Sequence, residues 1–219
     1  MAVILLVRHG QASWGAADYD VLSDLGHEQG RATGRALAGR GVVPDVVVRG
    51  GMRRHRETAE AAAEAAGWSA EVTVDDGWDE FDHVQMLDVH GPPEGAAEGQ
   101  MTRQQFDAWF DAATERWTSG RYDEDYDEPF FGFTSRVESA LRRTAAGLGS
   151  GDVAVVFSSG GPISWVAATL LGGGIDMWMR LNPVTINASV AKVVVGARGT
   201  TLVSLNDHSH LEPDLVTYR

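Results

Sequence analysis

The residues of this chain that could do chemistry stand at the ends of apolar runs. Arg8-His9-Gly10 follows directly on the aliphatic run that begins at Ala2. In open α/β sheets, ligands bind in the crevice beyond the carboxyl ends of the strands. A histidine there can attack phosphorus, and an arginine beside it can hold phosphate oxygens. A glycine lets the backbone come close. The plainer alternative is a surface histidine at a strand end, and the tripeptide alone does not choose between the two.

A second junction of the same kind is "VAVVFSSGGPI", Val153 to Ile163. A β-branched run ends in two serines, two glycines and a proline, the pattern of a buried strand opening onto a loop and a helix. Ser159 could be a nucleophile, a phosphate ligand or a turn residue. Arg54 opens a helix, four residues before Thr58, and a helix N-terminus favours an anion. Glu80 lies between Trp78 and Phe81 in "DDGWDEFDH". A carboxyl group among aromatic rings is poorly solvated, which favours its protonated form and suits it to donate a proton. By itself it is one more acid in an acidic chain.

Those side chains need a scaffold. A chain of 219 residues, 43% hydrophobic and 22% charged, has the composition of a globular protein and can bury a sizeable core. It has no cysteine, which removes disulfides, thiol catalysis and thiolate metal sites. No His/Asp/Glu set has convincing metal-ligand spacing, so no metal and no cofactor is expected. The opening apolar run is too short to span a bilayer and has no basic residue before it, and a cytoplasmic protein is expected. A net charge of −13 argues against nucleic acid and anionic membranes as partners. Any anion must then be held by arginines gathered at one place. The sequence says nothing about oligomeric state.

The periodicities predict strands at Ala2–Val7, "PDVVV", "AEVTV", "DVAVVF", "NASVAKVVVG" and "TTLVSLN", the last two an antiparallel pair joined at "ARGT". Helices are predicted over "SDLGHEQGRATGRALAGRG", capped by Ser23 or Asp24, over "MRRHRETAEAAAEAAG", stopped by Gly67, over "FTSRVESALRRTAAGLG", and after Pro162. Strands alternating with helices give an α/β fold, a three-layer αβα sandwich around a mixed, mostly parallel sheet. Between about residues 75 and 132 the character changes. An aromatic helix with Phe106, Trp109, Phe110 and Trp117 on one face precedes the acidic loop "GRYDEDYDEP". The chain reads as one domain, 1–219, with this stretch as an inserted cap.

Taken together, the motifs resemble the histidine phosphatase superfamily, also called the phosphoglycerate mutase-like family. The resemblance covers nearly the whole chain: "VRHGQ", "LSDLGHEQG", "MRRHRETAE", "WDEFD" and "NDHSHL", in that order. It implies that His9 is the nucleophile and forms a phosphohistidine. It also implies that Arg8 and Arg54 bind the phosphoryl oxygens, while Glu80 protonates the leaving oxygen and then activates water. Ser159, Gly160 and Gln11 complete the expected phosphate-binding set. His83 and Ser13 are accessory candidates.

Two departures stand out. The family carries a second histidine before the glycines of "VVFSSGG", where this chain has Ser159. A serine can donate a hydrogen bond to phosphate but brings no charge. The family often has an asparagine after the tryptophan of the first loop, where this chain has Gly15 after Trp14. His83, His90, His208 and His210 are weighed as substitutes for the missing imidazole, with a structural role favoured for His210. Restoring histidine at 159 is expected to raise turnover if the pocket accepts the larger side chain, with overpacking as the cost if it does not. The activity implied is a metal-independent phosphatase, slow for its class, acting on a small phosphomonoester. The alternative is a weakened or inactive member that binds a phospho-ligand in a regulatory role. A phosphoglycerate mutase is disfavoured, because the acidic loop would repel a polyanion.

Overall fold

The aliphatic run that opens the chain becomes β1 (Ala2–Arg8), which lies inside the sheet with a paired strand on each side and most of its residues buried. In a computed structural model, residues 1–13, 20–93 and 101–218 are described. The predicted elements follow as α1 (Asp24–Gly39), β2 (Val46–Arg49), α2 (Arg53–Ala66) and β3 (Val72–Val74). Next come α3 (His83–His90), α4 (Arg103–Thr118), α5 (Phe130–Ala146), β4 (Val153–Ser158) and α6 (Gly160–Leu170). The chain continues through α7 (Ile175–Leu181), β5 (Val190–Gly196) and β6 (Gly199–Asp207). The sheet order is β3-β2-β4-β1-β5-β6. β1, β2, β3 and β4 run parallel to their neighbours among themselves, and β5 and β6 run antiparallel.

Parallel strands need both faces covered, and the residues comply. Leu5, Val7, Val155 and Phe157 pack with Leu37 of α1 and with Ala59 and Ala62 of α2. The alternate residues Ile4, Leu6, Ala154 and Val156 point to the other face and are fully buried there. α6 packs against β1. The α/β class and the mixed, mostly parallel sheet are those the sequence predicts.

Local signals set the boundaries. Ser23 caps α1 by accepting from the Gly26 N–H at 3.1 Å. Gly67 ends α2 at φ 67, in the left-handed region that glycine adopts without penalty. α6 starts at Gly160, ahead of Pro162. β5 starts only at Val190, because the residues before it hold another part of the chain instead of a strand partner.

The chain forms two compact units, Met1–Glu80 with Val137–Arg219, and Phe81–Arg136. Within the second, the Phe81 and Trp117 rings stack at 4.9 Å, and Trp117 meets Phe130 edge-on at 5.0 Å. Of the predicted apolar face of α4, Trp117 is buried, whereas Phe106, Trp109 and Phe110 are half-buried and pack on one another. The acidic loop holds a short 3-10 turn at Asp123–Asp125. Arg116 of α4 pairs with Asp125 and donates to the Tyr126 hydroxyl at 2.8 Å, so the loop has a cation beside Arg121.

Candidate active site

β1 and β4 end side by side, with Arg8 opposite Ser158 in the parallel register. The His9 N–H continues that pairing to the Ser158 carbonyl at 2.8 Å. Its own carbonyl accepts from the Ala188 N–H and from the Asn187 side-chain amide, both at 3.2 Å. The segment before β5 therefore fixes His9 from the other side. Asn187 is fully buried and tied in turn to Thr217, whose hydroxyl donates to it at 2.9 Å. The C-terminal motif braces the same segment. Asn206 bridges the Ile186 N–H and the Val184 carbonyl, each at 2.8 Å, while His210 Nε2 lies 3.2 Å from the Ala188 carbonyl and 3.0 Å from Thr33 Oγ1. His210 thus has the structural role expected of it.

Gly10 sits where the backbone crosses α1. A Cβ at Gly10 would stand 2.2 Å from the Gly26 carbonyl oxygen, and one at Gly26 would stand 2.2 Å from that of Gln11. The glycines of "RHG" and "DLGHE" are required by one another. The Gly10 N–H donates to Thr58 of α2 at 3.0 Å, so α2 is pinned to the same loop.

The His9 ring is buried, with Nδ1 2.7 Å from the Gly10 carbonyl. That contact places the proton on Nδ1 and leaves the Nε2 lone pair for chemistry. Burial above all holds the imidazole well below its ordinary pKa, helped by the charges of Arg54, Arg8 and His55. A neutral, oriented imidazole beside two guanidinium groups can act as a nucleophile toward an anionic substrate.

Arg54, in the first turn of α2, is buried and pairs with Asp20 at 2.7 Å. The Asp20 carboxylate also accepts from the Arg53 N–H at 2.6 Å, and so caps a helix whose own N-cap residue, Met52, offers no side-chain bond. Arg8 is half-buried and donates to the Thr185 carbonyl and, at 3.2 Å, to that of Tyr218. A Cβ on Gly160 would stand 3.0 Å from Asn182 Oδ1 and in ordinary contact, 3.5 Å, with Arg8 Nε, so the tight neighbour of this glycine is Asn182. Glu80 is half-buried and accepts from the Gly161 N–H at 3.1 Å, at the start of α6. Ser158 Oγ donates to the Trp78 carbonyl at 2.6 Å, fixing the turn that leads to Glu80. Gln11 donates its N–H to Gln29 at 2.7 Å, and its side-chain oxygen accepts from Ser23 at 3.0 Å. Ser13 pairs by its backbone with Val21. Trp14 and Gly15 lie outside the described residues.

Ser159 is fully buried and does not cap α6 with its side chain. Its hydroxyl lies 2.7 Å from Nε2 of His55, a residue of α2 that the sequence analysis passed over. The signal was its position next to Arg54 on a helix already assigned to the site. His83 instead opens α3 in the Phe81–Arg136 unit, and His90 and His208 bond to the carbonyls of Gly91 and Asn206.

With this geometry in place, comparison with known proteins identifies the class. The histidine phosphatase superfamily (branch 1) matches residues 4–208, and the chain belongs to that superfamily. A 2,3-bisphosphoglycerate-dependent phosphoglycerate mutase of Chelativorans sp. (strain BNC1) is 33% identical over 79 residues, covering 33% of this chain and 38% of that protein. The match therefore spans well under half of that relative. YhfR of Bacillus stearothermophilus superposes with a TM-score of 0.73 at 19% identity, covering 97% of this chain and 100% of that one. A phosphoserine phosphatase of Entamoeba histolytica does so with a TM-score of 0.68 at 19% identity and the same 97% and 100% coverage. At these identities the solved structures share the fold.

Proposed function

We propose that the chain is a phosphatase that hydrolyses a small phosphomonoester through a phosphohistidine at His9. The observation that carries this reading is the neutral His9 ring, its Nδ1 committed to the Gly10 carbonyl and the charges of Arg54 and Arg8 acting on it. His9 Nε2 attacks phosphorus, and the bond to the leaving oxygen breaks. Arg8 and Arg54 hold the phosphoryl oxygens as charge moves between them. Glu80, held by the Gly161 N–H of α6, gives its proton to the leaving oxygen. It then takes one from a water that attacks phosphorus and breaks the P–N bond. Ser159, Gly160 and Gln11 border the same crevice as phosphate contacts. So written, the reaction calls for no metal ion and no cofactor. A net charge of −13 favours a small monoester over a bisphosphate.

The test is turnover of p-nitrophenyl phosphate by the purified chain in the presence of a chelator. Activity that persists with chelator and is lost in His9→Ala supports the reading. No activity in the parent, or activity retained by His9→Ala, contradicts it.

A further inference from the structure

A buried chain of polar groups lies against the nucleophile, and the mechanism above uses only its last member, Ser159. It runs from Asp79 through His55 to Ser159. His55 is fully buried, with Nε2 2.7 Å from Ser159 Oγ and Nδ1 3.5 Å from Asp79 Oδ1. Its ring centroid is 5.8 Å from that of His9. The backbone is shaped around the pair: a Cβ on Gly50 would stand 2.3 Å from His55 Nδ1 and 2.4 Å from Asp79 Oδ1. Asp79 is anchored by the Met52 N–H at 3.3 Å.

The carboxylate facing Nδ1 selects the tautomer with its proton there, so Nε2 accepts from the Ser159 hydroxyl. The groups around His55 oppose one another. Burial, and then the Arg54 charge, favour the neutral ring, whereas Asp79 and Asp20 favour the cation, and the balance lies below the ordinary imidazole value. His9 stands on the remaining side, itself neutral in the resting state. A phosphoryl dianion on His9 would add negative charge within a few ångströms of that balance, in a poorly solvated interior where such charge acts strongly.

We propose that His55 is a charge-switching positioning residue, taking up a proton when a phosphoryl group occupies His9 and acting on that group through Ser159. The proton comes from solvent and adds to the Nε2 lone pair. Ser159 then accepts from Nε2–H, and its own hydrogen turns to a phosphoryl oxygen. When phosphate leaves, the proton returns to solvent and the hydroxyl turns back. A serine and a distant imidazole thus supply together the hydrogen bond and the charge that one histidine would supply at position 159. The inference rests on the phosphatase reading in one respect: it needs a phosphoryl group at His9.

The experiment is an imidazole-nitrogen NMR titration of the intact chain between about pH 5 and 9, with and without orthovanadate as the probe. The expected result is a His55 midpoint that moves to higher pH on vanadate binding, with net proton uptake. His55→Gln keeps a polar contact to Ser159 but cannot be charged. Near neutral pH it should weaken vanadate binding about 10–100-fold, the linkage equivalent of a midpoint displaced by one to two pH units, and the deficit should close as pH rises. A midpoint unmoved by bound vanadate overturns the inference, as does no vanadate binding or a His55→Gln deficit that is equal at all pH values. The parent titration needs no substitution, so a poorly folded variant does not blunt the test. A midpoint that moves in a chain with no phosphatase turnover would unseat the phosphatase reading and leave this inference standing. Turnover that depends on His9 with an unmoved His55 would do the reverse.

Discussion

Placing histidine at position 159 should damage this protein. A reading that sees only serine in place of a family histidine expects Ser159→His to restore a missing ligand and raise turnover. The structure predicts the opposite, because the space is taken. Ser159 is fully buried, and its hydroxyl is already 2.7 Å from His55 Nε2. His55 cannot retreat, since the Gly50 backbone and Asp79 close the far side of its ring. Overpacking of this kind costs about 1–3 kcal/mol, and losing the buried hydrogen bond adds about 1 kcal/mol. For a chain of this size the sum, about 2–4 kcal/mol, lowers Tm by about 5–15 °C. Adding His55→Ala to Ser159→His removes the obstructing ring and should recover most of the loss. The assay is thermal unfolding of the parent, the single variant and the double variant, followed by circular dichroism. A single variant that melts within about 2 °C of the parent, or a double variant that melts below the single one, would refute the reasoning.

Three further outcomes follow from the same geometry. Folded His9, His55 and His210 all have pKa values lowered chiefly by burial, so below about pH 6.5 the unfolded chain binds more protons than the folded one. Their contribution to stability is complete above that pH and is lost on acidification, so Tm should fall between pH 7.5 and 5, and a flat or rising Tm would contradict the assignment. Glu80→Gln should slow hydrolysis of alkyl phosphates about 10²–10⁴-fold while sparing p-nitrophenyl phosphate, whose leaving oxygen needs little protonation; equal losses on both would remove Glu80 as the acid. Gly10→Ala should cost at least about 1–3 kcal/mol in chemical denaturation, because its Cβ meets the Gly26 carbonyl at 2.2 Å, and a neutral effect would mean that the loop and α1 are not locked together.

The sheet and its strand-end residues were legible because their signals are local. Val- and Ile-rich runs, a capping serine and a stop glycine each act within a few residues, and they place His9, Arg54 and Ser159 at element boundaries. The short helices α3 and α7 were not read, since seven or eight residues give too little periodicity. The first residues predicted for β5 proved to be the cradle of His9, because Asn187 and Ala188 bond across the fold to a residue far away in sequence. His55 was missed for the same reason. Its meaning lies in a contact with Ser159, 104 positions away, and its one local signal in "MRRHRETAE", a place next to Arg54, is shared with Arg53. An imidazole does meet Ser159, but it comes from the helix that carries Arg54 and is not one of the four histidines weighed from the sequence.

The central claim is that His9 carries the phosphoryl group. It is tested most directly by trapping the enzyme with a labelled phosphomonoester, quenching in base and mapping the phosphorylated peptide by mass spectrometry. The account predicts one phosphoryl group on His9, stable in base and labile in acid as a P–N bond is, and absent from His9→Ala. Phosphate on Ser159, stable to acid, would contradict it.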